Sequence, residues 1–117
     1  MVRLFLIFLI SCNFNTLSPK QIRELSLKYD PEWREVIPEN METYVHCSDY
    51  GPGCVSVKEA FTSNITFIMV QFKNEEQACK NAAVLGEYCL KNWLFDEVVD
   101  EPILERFVEE AFGAIRP

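Results

Sequence analysis

The sequence predicts an α+β fold: a two-layer sandwich in which about four strands form a mixed sheet with helices on one face. Three observations carry that expectation. Residues 65–72, Ile-Thr-Phe-Ile-Met-Val-Gln-Phe, form a nearly continuous β-branched and aromatic run of strand length. The segments Ala78 to Cys89 and Ile103 to Phe112 repeat apolar residues at helical spacing instead. Both patterns fall within 117 residues, the length of one domain, and 49% of those residues are hydrophobic, which is enough apolar mass to fold.

The chain starts with a short basic stretch, Met1-Val2-Arg3, followed by seven apolar residues, Leu4 to Ile10. A bilayer-spanning helix needs about 20 such residues, so seven fits the apolar region of a signal peptide. The run ends in Leu9-Ile10-Ser11-Cys12. This ending resembles the lipobox of bacterial lipoproteins, with an aliphatic residue, a small residue before the cleavage point, then Cys. The resemblance covers residues 1–12 only. It implies that residues 1–11 are removed and that Cys12 becomes an N-terminus carrying a diacylglyceryl thioether of palmitate type. Residues 12–17 are then a tether, and residues 18–117 one domain displayed at the bacterial cell envelope. An ordinary signal peptide cut near Ser11 or Asn13, releasing a secreted protein, is the alternative. A buried N-terminal structural segment is the third.

Ser18-Pro19-Lys20-Gln21 reads as a helix start. Ser18 caps, Pro19 suits the first helical position, and Gln21 completes a capping box. Ile22, Leu25 and Tyr29 follow at helical spacing. Asp30-Pro31 stops that helix and opens a short second one through Trp33 and Val36, ended by Pro38. Residues 18–38 thus read as a helical arm, with Trp33 anchoring it to the domain. Met41 to Tyr50 and Cys54 to Val57 read as a strand pair around the turn Gly51-Pro52-Gly53.

After the strand at 65–72, Asn74 caps the main helix, with Gln77 three residues later and Glu75 and Glu76 at the positive end of its dipole. Ala78, Ala82, Leu85 and Cys89 share one face, so the helix is expected to continue toward Asn92. Trp93 to Val99 reads as a strand, and Asp100-Glu101-Pro102 opens a last helix stopped by Gly113. A right-handed crossover from 65–72 through the main helix to 93–99, beside a hairpin, is ferredoxin-like in spirit.

With Cys12 set apart, Cys47, Cys54, Cys79 and Cys89 remain, an even number suited to disulfides in an oxidising compartment. Cys79 and Cys89 lie ten residues apart, about 15 Å along an unbroken helix. A disulfide needs Cα atoms within about 7 Å. The pair is therefore excluded while the helix is intact. A local Cys47–Cys54 bridge with two buried thiols is favoured over crossed pairing.

Catalytic chemistry has little support. His46, Cys47 and Cys54, with Cys79 or Cys89, are the densest set of zinc-ligand types. Adjacent His46 and Cys47 point to opposite faces of a strand, however, and no Cys-x-x-Cys is present. The single His, near Ser48 and Asp49, does not define a triad. Asp96/Glu97 and Asp100/Glu101 fit capping better than acid-base pairing. Asn64-Ile65-Thr66 matches a glycosylation sequon. Tyr44, Tyr50, Phe61, Phe67, Phe72 and Trp93 fit a core better than a ligand pocket.

The 18 acidic residues against 11 basic ones leave no basic stripe for nucleic acid. The function expected is a non-enzymatic envelope lipoprotein, without cofactor or metal, anchored through Cys12 and presenting a surface to an envelope protein. The alternatives are a secreted or periplasmic thiol or metal protein using Cys47, Cys54 and His46, and a small-ligand binder with an aromatic pocket.

Overall fold

A computed structural model describes residues 15–37 and 45–117. The leader, the lipobox-like Cys12 and the expected strand start at 41–44 lie outside the described residues. The elements are α1 (Pro19–Tyr29), β1 (Arg34–Val36), a 3-10 turn (Cys47–Asp49), β2 (Cys54–Thr62), β3 (Ile65–Phe72), α2 (Glu75–Leu85), β4 (Tyr88–Leu90), β5 (Trp93–Asp96) and α3 (Pro102–Phe112). The fold is α+β, built on a five-stranded sheet of order β1-β2-β3-β5-β4. All neighbouring strands run antiparallel, so the sheet is not mixed and contains no parallel crossover.

The central hairpin follows directly from sequence. Thr62 pairs with Ile65 across the two-residue turn Ser63-Asn64, both at positive φ (51° and 65°). That geometry gives the strands the right-handed twist they need. β3 alternates between two cores. Phe67 and Met69 join a cluster with Trp93, Phe95, Leu104 and Phe107. Ile68, Val70 and Phe72 join Ala78, Ala82, Cys89 and Leu94. α1 and α3 therefore cover one face and α2 the other, which corrects the expectation of helices on one face only. A strand buried on both faces reads as a continuous apolar run, as β3 does.

The stretch expected to be a second short helix is instead β1. Asp30 forces a turn: its Oδ1 accepts from Glu32 N at 3.0 Å, its backbone carbonyl accepts from Trp33 N at 3.0 Å, and its Oδ2 accepts from Thr62 Oγ1. Arg34, Glu35 and Val36 then pair with Phe61, Ala60 and Glu59. Ile22 and Trp33 are both buried in the core, so α1 and the start of β1 pack into the domain. Cys47–Asp49, expected within a strand, form a 3-10 turn in which Asp49 Oδ2 accepts from His46 N at 3.0 Å.

Helix α2 ends at Leu85, earlier than expected. Gly86 adopts φ 71° and its N–H returns to Ala82 and Ala83, a left-handed stop that glycine adopts without a Cβ penalty. The chain then turns back as β4, like β1 a strand not expected from the sequence, and reaches β5 through Lys91-Asn92. Asn92, 3% exposed, locks this corner. Its Oδ1 accepts from Leu17 N at 2.7 Å, and its Nδ2 donates to Phe72 O at 3.1 Å. Trp93 Nε1 donates to Leu17 O at 2.8 Å, so both backbone groups of Leu17 are held.

Candidate functional site

Each cysteine after Cys12 is bridged. Cys47–Cys54 ties the 3-10 turn to the start of β2, with Cα atoms 5.5 Å apart. Cys79–Cys89 ties α2 to β4 at 5.3 Å. The geometric exclusion of this second pair assumed an unbroken helix. The stop at Gly86 folds β4 back alongside α2 and brings the two residues together. With their sulfurs in S–S bonds, Cys47 and Cys54 offer no thiolate to zinc. Among the described residues, no three His, Cys, Asp or Glu side chains cluster as metal ligands do.

The other singled-out residues have structural partners. Asp49 serves the turn at His46. Asp96 accepts from Tyr50 Oη at 2.7 Å and from Glu97 N at 2.8 Å. Burial, then the Asp96 hydrogen bond and the negative charges of Asp96, Glu97 and Asp49, push the Tyr50 phenol far above its ordinary range. Glu101 caps α3 by accepting from Ile103 N at 3.3 Å. Phe67, Phe72 and Trp93 are core, and Phe61 lies beneath the Arg34 guanidinium, 4.5 Å from its ring centroid. Asn64 is exposed at the hairpin tip. Tyr44 lies outside the described residues.

Three further carboxylates have structural partners. Glu87 Oε1 accepts from Val98 N at 3.2 Å and Val99 N at 3.1 Å. Burial raises its carboxyl above the ordinary range, and these backbone donors partly offset the rise. Tyr88 Oη lies 2.8 Å from Glu105 and 3.2 Å from Glu109, one turn apart on α3. Burial and these two carboxylates hold the phenol protonated well above its usual range.

The sheet edges differ. β4 is covered by Ile115, whose N–H and carbonyl bond to Cys89 at 2.9 and 2.8 Å. Among the described residues β1 pairs only with β2, and none of them forms a strand on its other edge. Between that edge and α1 lies a recess of about 250 Å³, lined by Arg23, Leu27, Trp33, Arg34 and Glu35. Arg23 and Leu27 are one turn apart and share a helix face. The Glu35 carboxylate is paired with Lys58 at 3.2 Å. Neither Arg23 nor Trp33 stood out in sequence as a ligand contact, because a solvent-facing Arg and a packing Trp give no motif.

Trp33 is the unusual member. It is 5% exposed, yet its buried Nε1 has no hydrogen-bond acceptor among the described residues. Such an unmet donor costs about 1–3 kcal/mol, and few survive in native folds without a reason. Among the described residues Gln77 Oε1 is the other unmet buried atom, but it sits under the Gly51–Gly53 turn, where a Cβ on Gly53 would collide with the Gln77 side chain. No protein-family model, curated protein or solved structure matches this chain.

Proposed function

We propose that this chain is a non-enzymatic bacterial envelope lipoprotein, anchored through Cys12 and displaying its α+β domain to an envelope partner. The observation that carries the reading is the cysteine pattern. Both disulfides fit an oxidising compartment outside the cytoplasm. Together they use four of the five cysteines and leave Cys12, the residue that closes the lipobox-like Leu9-Ile10-Ser11-Cys12. Among the described residues no helix is long and apolar enough to cross a membrane, so attachment in this reading comes from lipid. The two chains of a diacyl group are sufficient for stable anchoring.

The same bridges argue against the thiol and metal alternative, since they occupy Cys47 and Cys54. The non-enzymatic reading rests on the use of Asp49, Asp96 and Glu101 in turn, phenol and cap contacts. The test is intact-mass analysis of protein from native membranes. Loss of residues 1–11 with a diacylglyceryl adduct on Cys12 is the expected result, and Cys12→Ser should move the protein to the soluble fraction. A Cys12 that carries no lipid after normal processing rejects the anchor and favours secretion.

A further inference from the structure

We propose that a groove between the end of α1, the Ser63-Asn64 hairpin tip and the first turn of α3 docks an apolar side chain from a basic segment of a partner protein. The proposal names the chemistry of the partner to which the domain is displayed, and so rests on that reading of the function. The groove has a volume of about 380 Å³ and is lined by Tyr29, Ser63, Pro102, Ile103, Arg106 and Phe107. Phe107 is the buried member of its wall, and the Tyr29 ring meets it edge-on with centroids 5.4 Å apart. Ile103 belongs to the apolar stripe of α3 by its spacing, but the buried members of that stripe are Leu104, Phe107, Val108 and Phe112. Ile103 stays 50% exposed and Tyr29 42% exposed. Two large side chains in one groove thus remain half in water, beside an arginine, and aromatic and arginine side chains are the usual anchors of protein interfaces.

Charge selects the occupant. Three carboxylates are held against the residues that line the groove. Asp30 Oδ2 accepts from Thr62 Oγ1, next to Ser63. Glu101 Oε1 accepts from Ile103 N at 3.3 Å and also meets the positive end of the α3 dipole. Glu110 Oε2 accepts from Tyr29 Oη at 3.0 Å. Asp100, exposed, precedes Glu101. Arg106 is the one cation among the lining residues; its guanidinium lies 3.9 Å from Glu110, and its side chain is 78% exposed. The stem of that arginine adds apolar wall. An apolar anchor flanked by positive charge therefore matches the groove and its acidic rim. The same rim and the net charge of -7 oppose a second copy of the chain and an anionic lipid surface.

The test uses the oxidised full chain with Cys12→Ser, labelled with ¹⁵N, so that binding is read in solution and stands or falls apart from the anchor. The probes are acetyl-Lys-Phe-Lys-Leu-Lys-amide, a twin with Glu for every Lys, and a twin with Ser for Phe and Leu. The expected result is a saturable shift of the Ser63, Ile103 and Arg106 amide signals with the first peptide, weakened by added salt, and no saturable shift with either twin. Ile103→Ser, a half-exposed change that leaves the buried stripe of α3 intact, should weaken binding about tenfold. Signals unmoved by the basic apolar peptide overturn the proposal, as does equal binding of either twin or an Ile103→Ser affinity equal to that of the parent. Concentration-dependent shifts of the same amides without peptide assign the groove to a second copy, and their broadening by phosphatidylglycerol vesicles assigns it to lipid; either outcome also overturns the proposal.

Discussion

Glu87 and Asn92 show how single buried polar side chains set the behaviour of this fold. Folding raises the Glu87 carboxyl, so in the window between its unfolded and folded titrations the native state binds more protons than the unfolded one. Stability from this group therefore falls as pH rises through that window. Glu87→Gln keeps an oxygen for Val98 and Val99 N–H and removes the charge. Its urea midpoint relative to the parent should be higher at neutral pH than at acidic pH; a pH-independent difference would contradict the burial argument. Asn92 serves Leu17 N and Phe72 O at once. Asn92→Ala leaves both unmatched and should cost about 3 kcal/mol, read from the shift in urea midpoint at constant slope.

At the level of elements, the Cys79–Cys89 bridge holds α2 against β4. Cys79→Ala with Cys89→Ala should lose about 2–3 kcal/mol, the amount expected for closing so short a loop, and should speed amide exchange in α2 before β3. Gly86→Ala should cost about 1 kcal/mol by thermal unfolding. The added Cβ would meet Arg116 only at 3.6 Å, an ordinary contact, so the penalty comes from φ 71°. These elements also mark how far sequence reaches. β3, the caps at Ser18, Asn74 and Glu101, and the stop at Gly113 were legible, because each is a local pattern. Gly86 is also a stop, but Cys89 and Leu90 continue the helical spacing past it and mask β4. β1 was unreadable because Arg34-Glu35-Val36 has no apolar alternation; its pairing depends on Asp30 reaching Thr62, 32 residues away. The recess was hidden for the same reason, since Arg23 and Trp33 meet only after β1 joins the sheet.

For the whole molecule, the contrast between sheet edges carries a prediction about association. Ile115 closes β4 with two backbone bonds. Truncation after Ala114 should expose that edge and produce concentration-dependent self-association by sedimentation velocity, with the parent as the comparison. A monomeric truncated form would show that the short length of β4 is protection enough. Full reduction should loosen the 3-10 turn and α2 together, since the two bridges hold both to the sheet.

The grip of Asn92 and Trp93 on Leu17 also fixes how the molecule could stand at a surface. Four residues lie between Cys12 and Leu17, a leash of at most about 17 Å. A lipid at Cys12 would keep the Phe72–Asn92 rim of the sheet down against the headgroups. The Ser63-Asn64 tip and β1, which pairs near it, lie roughly 20 Å farther along the strands, facing outward. Two hydrogen bonds to one leucine would then decide which end of the protein a passing envelope component meets first.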